Sequence, residues 1–339
     1  MTIHITNIHG MDRTSIAQKA QNHVAQVACR ELGFQEIGMY FYDASNEPKE
    51  ALISRFDGMI ASLANNDTVI FQSPSWNAIE WDMELMNRVS LYTGVKKIVF
   101  IEDVLPLMFA SNYYLMPKFI EYYNRADVLI APSPQLIDRL KQEGLADRPV
   151  VYQQFWDHLV MEDFSAAIPA NTHRLNFAGN PDKFAFVKEW SGEAKLHVYA
   201  AQQELANPNL VLMGWHDGIY LLNSLRQTGG LGLVWTDDPY TETYMTMDAP
   251  YKLSTYLAAG MPVVVKNNLA QAEFITQQKL GICVDNLAEA AEKAATISDD
   301  EYTLMQRNVE RVGKLIRKGY FTKRALINAV MTAQLQPEG

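Results

Sequence analysis

The chain has 339 residues, of which 48% are hydrophobic and 20% are charged, and its formal net charge is −10 at pH 7. This length suits two α/β domains with full cores, and the acidic balance disfavours nucleic acid as the main partner. No apolar run reaches the roughly 20 residues of a membrane-spanning helix, and the first residues, MTIHITNIHG, do not resemble a signal peptide. With only Cys29 and Cys283 as thiols, the sequence predicts a cytoplasmic protein without a transmembrane segment or a disulfide.

Strand and helix patterns alternate regularly through the first half of the chain. The predicted strands are Ile3–Ile8, Glu36–Tyr42, Thr68–Gln72, Lys97–Ile101, Asp127–Ala131 and Pro149–Tyr152. The predicted helices are Ser15–Leu32, Lys49–Leu63, Ile79–Tyr92, Tyr113–Asn124 and Gln135–Gln142. Such alternation indicates a parallel sheet covered by helices on both faces, with its ligands at the carboxyl ends of the strands.

The loops that follow the first and third strands carry polar candidates for ligand binding. Thr14 and Ser15 follow the first strand without a G-x-G-x-x-G motif, so they are either weak nucleotide contacts or helix caps, and a dehydrogenase is disfavoured. The segment Gln72–Asn77 sets a tryptophan beside hydroxyls and amides, a combination that suits a sugar. A buried tryptophan beside a helix cap is the structural alternative.

Two adjacent carboxylates, Glu102 and Asp103, follow the fourth strand. A carboxylate at this position can accept the proton of an acceptor hydroxyl, and Asp103 is the candidate base. Helix capping or bonding to a neighbouring loop is the alternative role of such an aspartate.

The second half begins after a less regular connection, Gln153–Thr172. Further strands are predicted at Arg174–Phe177, Leu196–Tyr199, Leu210–Met213, Gly230–Trp235, Pro262–Val265 and Gly281–Val284, and the segment Trp235–Tyr240 is predicted as a loop. Helices are predicted toward Trp190 and at Gly218–Gln227, Tyr251–Ala259, Ala270–Gln277, Leu287–Thr296, Glu301–Ile316 and Tyr320–Leu335. Asn180 and Lys183, in a strand-to-helix turn, are candidate phosphate contacts, with a plain capping turn as the alternative.

The stretch from Pro250 to Phe274 organises this half. Its helix presents Lys252 near the N-terminus and ends at Gly260, a residue that can take the left-handed conformation, before a buried valine strand. Free N–H groups and the dipole at such a helix start suit a diphosphate, and Lys252 adds a positive charge. An ordinary αβ unit is the structural alternative.

Several segments in chain order resemble the GT-B glycosyltransferases and, more narrowly, the bacterial glucosyltransferase 3 family, which extends O-glycans on serine-rich-repeat adhesins. They are ITNIHG at Ile5–Gly10, SIAQ at Ser15–Gln18, FQSPSWN at Phe71–Asn77, EDVLPLMF at Glu102–Phe109, YYLM at Tyr113–Met116, WDH at Trp156–His158, GNPDKFAFVKEW at Gly179–Trp190, GLVW at Gly232–Trp235, YKLSTYLAAGMPVVV at Tyr251–Val265 and RKGYFTKR at Arg317–Arg324.

The resemblance implies an α/β GT-B fold, in which two Rossmann-like domains face a cleft and a C-terminal helix returns to the first domain. The expected acceptor domain is residues 1–155 with 318–339, and the expected nucleotide-sugar domain is residues 156–317. Members assemble as tetramers partly through their C-terminal ends, which makes Tyr320–Leu335 a candidate interface.

The resemblance further implies a UDP-sugar donor, of glucose or N-acetylglucosamine, and a GlcNAc-modified Ser/Thr of a serine-rich-repeat glycoprotein as acceptor. No cofactor or metal is expected. The implied donor contacts are Thr14, Ser15, Ile16, Asn180, Lys183, Pro250, Tyr251, Lys252, Leu253, Ser254 and Thr255. Ile16 departs from the family pattern, because a hydroxyl is expected at this position. The acceptor candidates are Gln72, Ser75, Trp76 and Asn77.

One further departure and two rival functions complete the interpretation. Many retaining GT-B enzymes carry a glutamate pair around this helix, but the matching positions hold Met247 and Thr255, so a retaining mechanism is not transferred. The rival functions are a non-catalytic GT-B-like binding or chaperone subunit of the adhesin glycosylation machinery and a UDP-sugar epimerase.

Overall fold

The computed structural model describes residues 1–160, 167–203 and 207–335. The chain forms two compact units, of which unit 1 is Met1–Gln154 with the residues from Phe321 onward and unit 2 is Phe155–Tyr320. Each unit holds a six-stranded sheet in which every described strand pair is parallel, so the predicted α/β class is confirmed. Part of the predicted connection Gln153–Thr172, residues 161–166, lies outside the described residues.

Unit 1 follows the predicted alternation closely. Its strands are β1 Ile3–His9, β2 Gln35–Tyr40, β3 Thr68–Ser73, β4 Lys96–Ile101, β5 Val128–Ala131 and β6 Val150–Tyr152, in the sheet order β2-β1-β3-β4-β5-β6. Its helices are α1 Ile16–Glu31, α2 Lys49–Met59, α3 Ile79–Val89, α4 Leu105–Met108, α5 Met116–Tyr123 and α6 Pro134–Gln142, with a 3₁₀ turn at Ala110–Leu115.

The central strands of unit 1 carry apolar runs, Val69–Phe71 in β3 and Ile98–Ile101 in β4, as expected for a sheet covered by helices on both faces. All six residues of β3 are buried, and Phe71 and Phe100 of β3 and β4 are at most 2% exposed. The strands end at a common edge, where the loops after β1, β3 and β4 bring the polar candidates of this unit.

Unit 2 has a second sheet, in the order β12-β11-β10-β7-β8-β9. Its strands are β7 Leu175–Ala178, β8 Leu196–Tyr199, β9 Leu210–Leu212, β10 Leu231–Val234, β11 Val263–Lys266 and β12 Gly281–Val284. Its helices are α7 Ala185–Lys188, α8 Gly218–Thr228, α9 Pro239–Met245, α10 Tyr251–Ala258, α11 Ala272–Gln277, α12 Leu287–Thr296 and α13 Asp299–Arg317.

Close packing fixes α10 against the sheet of unit 2. The hydroxyl of Tyr256 accepts a hydrogen bond of 2.8 Å from the backbone N–H of Ala178 at the end of β7. A Cβ atom at Gly232 would lie 2.3 Å from the Tyr256 ring, so glycine in β10 permits this approach. Gly260 ends the helix with φ +76°, the left-handed conformation that the sequence predicted.

Two arginines satisfy carbonyl groups at the C-terminal end of α10. Arg226 donates to the Ala259 carbonyl at 3.0 Å, and Arg317 donates to the Ala258 carbonyl at 2.6 Å. Glu310 forms ion pairs with both guanidinium groups, at 3.2 and 2.5 Å. Cations at a helix C-terminus interact favourably with the helix dipole, so these contacts stabilise α10.

The last helix, α14 Tyr320–Leu335, packs on unit 1. The Gln334 amide donates to Thr68 Oγ1 at 2.9 Å, Lys323 pairs with Glu31 at 3.1 Å, and Arg324 donates to the carbonyls of Tyr152 and Gln153. Among the described residues, no helix combines the length and the apolar character needed to span a membrane.

A few elements differ from their predictions. The expected helix Tyr113–Asn124 is split into a 3₁₀ turn and α5, with Pro117 in the first turn of α5, where a missing N–H is tolerated. The expected loop Trp235–Tyr240 leads into an unpredicted helix, α9, which Asp238 caps by accepting from Thr241 N at 2.7 Å. The one-turn helix α4 was also not predicted, because four residues carry little periodicity.

Candidate active site

The N-terminus of α10 is an uncapped helix start in unit 2. Pro250 precedes the helix and has no side chain that can cap it, and the first turn has no acidic residue. The N–H of Leu253 bonds to the Pro250 carbonyl at 3.0 Å, and the dipole places positive potential at this end of α10. An anionic ligand group suits this position.

Lys252 extends from this helix start into an aromatic setting. Its ammonium lies 3.8 Å from the ring centroid of Phe184 and 4.6 Å from that of Phe177. Burial lowers the pKa of Lys252 to about 7, and the charge of Lys183 acts in the same direction. In the described part of the chain no carboxylate forms an ion pair with either lysine, so an anion that reaches them meets uncompensated positive charge.

The turn between β7 and α7 carries the second lysine. Asn180 is exposed, its side chain accepts from Asp182 N at 3.0 Å, and its carbonyl accepts from Lys183 N at 3.0 Å. Lys183 is exposed, and its ammonium lies 5.8 Å from the centroid of the Phe184 ring that Lys252 also contacts. The structure therefore brings the two sequence-predicted lysines to the same aromatic ring.

Three of the predicted donor residues of α10 have side chains that face the interior of unit 2. Leu253 is fully buried, Ser254 Oγ accepts from Trp156 N at 3.0 Å, and Thr255 Oγ1 lies 3.2 Å from His158 Nε2. These side chains hold α10 in place, since their polar atoms are engaged inside the unit.

Tyr251 and its neighbours form the other side of the helix start. The Tyr251 ring packs 4.4 Å from the centroid of His158 and 6.4 Å from that of Trp156. Burial raises the pKa of the Tyr251 hydroxyl, which keeps it neutral. Trp156 also donates its indole N–H to the Ala249 carbonyl at 2.8 Å. Sequence reasoning identified the WDH segment by resemblance alone and did not predict that it supports α10.

In unit 1, the loop after β1 caps α1. Ser15 Oγ accepts from Gln18 N at 3.2 Å, and Thr14 donates from its backbone N–H and its hydroxyl to Asp12 at 2.8 and 2.5 Å. These bonds lower the pKa of Asp12. Ile16, the first residue of α1, has an apolar side chain that is 50% exposed. Ser15 is therefore the N-cap of α1, which is the structural alternative to a nucleotide contact at this position.

The loop after β3 divides the acceptor candidates into two groups. Gln72 and Ser75 are buried: the Gln72 amide donates to the Thr6 carbonyl, and Ser75 N donates to Asp82 Oδ2 at 3.2 Å. Their positions serve the loop and the sheet, so they offer little surface to an acceptor.

Trp76 and Asn77 retain accessible surface. Trp76 has φ +65°, an uncommon conformation for a bulky residue. Asn77 is held by Tyr42 N, which donates to its side-chain oxygen at 3.0 Å, and by the Tyr40 carbonyl, which accepts from its amide at 3.3 Å. These two residues are the acceptor candidates that remain at the surface of unit 1.

The two carboxylates after β4 lie in different environments. Glu102 is 4% exposed and burial raises its pKa well above the ordinary value, whereas Asp103 is partly exposed. Both backbone N–H groups donate to the Ser73 carbonyl, at 2.9 and 3.4 Å. Asp103 therefore stands at the carboxyl end of β4, bonded to the last residue of β3. Within residues 1–160, 167–203 and 207–335, no group of three or more histidines, cysteines or carboxylates could hold a metal ion.

Comparison with known proteins identifies the family. A model of the glucosyltransferase 3-like N-terminal domain matches residues 2–155, and one of the C-terminal domain matches residues 175–329. The chain is 41% identical to glucosyltransferase 3 of Streptococcus parasanguinis, with 98% of this chain and 99% of the relative covered. It is 40% identical to glucosyltransferase 3 of Streptococcus gordonii, over the same shares of the two chains.

Solved structures share the fold at low sequence identity. Anabaena Alr3699/HepE in complex with UDP and glucose matches with a TM-score of 0.66 at 10% identity, covering 97% of this chain and 99% of that one. The lipopolysaccharide outer core galactosyltransferase WaaB in its apo form matches with a TM-score of 0.58 at 10% identity, covering 98% and 99%. The predicted GT-B fold is thus confirmed. Because both halves match the family models and the relatives align end to end, the chain belongs to the glucosyltransferase 3 family and is a hexosyltransferase.

Proposed function

We propose that this protein transfers glucose or N-acetylglucosamine from a UDP-sugar to a GlcNAc-modified Ser/Thr of a serine-rich-repeat glycoprotein, the second step of O-glycosylation. The observation that carries the proposal is the pair Lys252 and Lys183, which share the Phe184 ring beside the N-terminus of α10. Two ammonium groups that pair with no carboxylate of the described residues, beside a helix start, suit the diphosphate of a nucleotide-sugar.

The donor chemistry follows from where negative charge develops. When the bond between the anomeric carbon and the diphosphate breaks, the leaving oxygen gains charge, and fixed positive groups lower the barrier. The α10 dipole, Lys252 and Lys183 supply that charge in unit 2, so the reaction as proposed needs no metal and no cofactor. The UDP and glucose bound to HepE, a protein of the same fold, support a UDP-sugar as the donor.

The acceptor chemistry is assigned to unit 1. Asp103 accepts the proton of the acceptor hydroxyl while the hydroxyl oxygen attacks the anomeric carbon and UDP departs with the electrons of the broken bond. Trp76 offers an aromatic face for sugar C–H groups, and Asn77 offers a neighbouring amide. The names of the two streptococcal relatives support glucose as one of the two donor sugars.

The proposal includes a cytoplasmic homotetramer that forms in part through α14. Ile327, Met331 and Leu335 recur every fourth residue on this helix and are 42%, 54% and 77% exposed. Residues four apart lie on one helix face, so these side chains form an apolar stripe that a second copy would cover.

A donor screen by mass spectrometry tests the proposal. Purified protein is incubated with UDP-glucose, UDP-N-acetylglucosamine or UDP-galactose and a GlcNAc-modified serine-rich peptide, in the presence of EDTA. The expected result is a mass gain of one sugar with UDP-glucose or UDP-N-acetylglucosamine, and none with the unmodified peptide. Interconversion of free UDP-sugars without acceptor would replace the proposal by an epimerase, and UDP binding without transfer would replace it by a binding subunit.

A further inference from the structure

Three polar side chains are buried in the region of unit 1 where β3 and β4 end. Gln21 comes from α1, Gln72 from β3 and Glu102 from the residue after β4, and their exposures are 0%, 2% and 4%. The carbonyl of Pro74, just past β3, accepts from Gln21 Nε2 at 2.8 Å, and the carbonyl of Thr6 accepts from Gln72 Nε2. The two amide nitrogens are thereby fixed, and so are the orientations of the two amide groups.

Each of the three side chains keeps one oxygen without a hydrogen bond. The Oε1 atoms of Gln21, Gln72 and Glu102 are buried and have no donor within hydrogen-bond distance among the described residues. An amide oxygen can only accept, and so can an ionised carboxylate, so ionisation of Glu102 would leave all three Oε1 atoms without a donor. A protonated carboxyl group instead supplies the missing O–H.

We infer that Glu102 is a neutral carboxylic acid which donates a hydrogen bond to one of the two glutamine amide oxygens and so fixes the turn that presents Asp103. Glu102 is a positioning residue, because it acts through the backbone that it shares with Asp103. The N–H groups of Glu102 and Asp103 both donate to the Ser73 carbonyl, and Gln21 holds the next carbonyl, that of Pro74. These bonds tie the start of the loop after β4 to the end of β3, and tie the start of the loop after β3 to α1.

The burial of Glu102 and the charge of Asp103 both raise the pKa of Glu102. Burial is the main cause that raises its pKa, the neighbouring Asp103 raises it further, and a hydrogen bond from Gln21 lowers it to a smaller extent. Gln21, which reaches Glu102 from α1, is uncharged. Among the described residues, the side chains that act on the pKa of Glu102 are Asp103 and Gln21, and neither is a cation that would favour an ionised Glu102.

The inference rests on the proposed function and gives the adjacent carboxyl groups of Glu102 and Asp103 different roles. Environments that push neighbouring carboxyl groups toward different protonation states separate their roles. Glu102 keeps its proton throughout the reaction, while Asp103, which is partly exposed, takes the proton of the acceptor hydroxyl. No proton passes between the two groups, because the Glu102 proton is committed to an amide oxygen.

The stability of Glu102→Gln as a function of pH tests the protonation state without any assay of activity. Folded wild type keeps a proton that the unfolded chain releases above pH ~4.3, so its stability falls as pH rises until the pH reaches the folded pKa. Glutamine has no such proton and still offers an N–H donor. The unfolding constant of wild type relative to the variant is therefore expected to rise by about tenfold per pH unit above pH ~4.3.

The matched control is Glu50→Gln, an exposed glutamate at the start of α2, for which a near-constant difference from wild type is expected. If Glu102→Gln likewise shows no change with pH, Glu102 is ionised in the folded protein and the inference fails. This outcome is independent of transfer, so it leaves the proposed function standing.

Activity tests the positioning role. Glu102→Leu removes the donor and leaves the amide oxygens unpaired, and a lower kcat with an unchanged KM for the UDP-sugar is expected. Glu102→Gln is expected to restore most of that kcat, because an amide N–H replaces the acid O–H. Equal loss of kcat in both variants would assign a proton-transfer role to Glu102 and overturn the inference. A protein that transfers no sugar in any form would contradict the proposed function instead.

Discussion

The ammonium of Lys252 lies 3.8 Å from the centroid of the Phe184 ring, and the ammonium of Lys183 lies 5.8 Å from the same centroid. The ring face attracts each cation, but the two cations repel one another. A dianionic diphosphate would relieve that repulsion, which is the role that the proposed function gives to these two lysines.

Replacement of Lys252 by methionine is expected to weaken binding of the UDP-sugar by about tenfold to a hundredfold. A charge-assisted hydrogen bond contributes about 1.5–3 kcal/mol, and methionine keeps the apolar stem. Calorimetric titration with UDP-glucose measures the dissociation constant. Lys195→Met, at an exposed lysine next to the amino end of β8, makes the same charge change and should leave the affinity unchanged. An unaltered affinity in Lys252→Met would remove this lysine from the donor site.

Donor affinity is expected to fall as pH rises above 7. The pKa of Lys252 in the free protein is lowered to about 7, and a bound diphosphate favours the charged form, so binding above pH 7 takes up a proton. The dissociation constant should be nearly constant below pH 7 and rise by up to about tenfold per pH unit above it. Calorimetric titrations in buffers of different ionisation enthalpy measure the number of protons that the protein takes up when the UDP-sugar binds. The Lys252→Met variant provides the reference, since its profile should be flat.

Asp103→Asn is expected to abolish sugar transfer and to spare donor binding. Asparagine keeps the size of the side chain but cannot take the proton of the acceptor hydroxyl. Transfer is followed by mass spectrometry, and UDP-sugar affinity by calorimetry. Asp138→Asn, at an exposed position of α6, is the matched control and should retain full turnover. Turnover near the wild-type value in Asp103→Asn would rule out this residue as the base.

Tyr256→Phe is expected to destabilise unit 2 by about 1–3 kcal/mol. The change removes the acceptor of the Ala178 N–H and leaves that group unpaired where α10 meets β7. Urea unfolding monitored by circular dichroism measures the loss. Tyr220→Phe, in which the tyrosine is 74% exposed, should differ from wild type by no more than ~0.5 kcal/mol. Equal stability of the two variants would show that the Tyr256 hydrogen bond contributes little.

Met331→Lys is expected to lower the oligomeric state. A lysine in the middle of the exposed stripe of α14 would have to be desolvated in an interface between copies. Light scattering after size-exclusion chromatography gives the mass of the assembly. Leu304→Lys, at a 46% exposed leucine of α13, introduces the same charge elsewhere and should not change that mass. A tetramer that persists in Met331→Lys would place its interface away from this stripe.

The sequence alone was sufficient for the αβ alternation and for the position of α10. Period-2 and period-3.6 patterns are local, so β3, α1 and the helix that ends at Gly260 could be predicted within a few residues. Lys252 and Lys183 could also be selected, because a lysine beside a strand-to-helix turn has a physical reason to meet phosphate.

What only tertiary structure decided is which polar side chains face inward. Ser254 and Gln72 look like surface ligand contacts in the sequence, yet Ser254 accepts a bond from Trp156 N, and Gln72 bonds to β1. Neither the position of the Phe184 ring near both lysines nor the burial of Glu102 beside Gln21 has a local signal. The physical reason is that desolvation and hydrogen-bond pairing depend on residues distant in sequence, whereas periodicity reports only near neighbours.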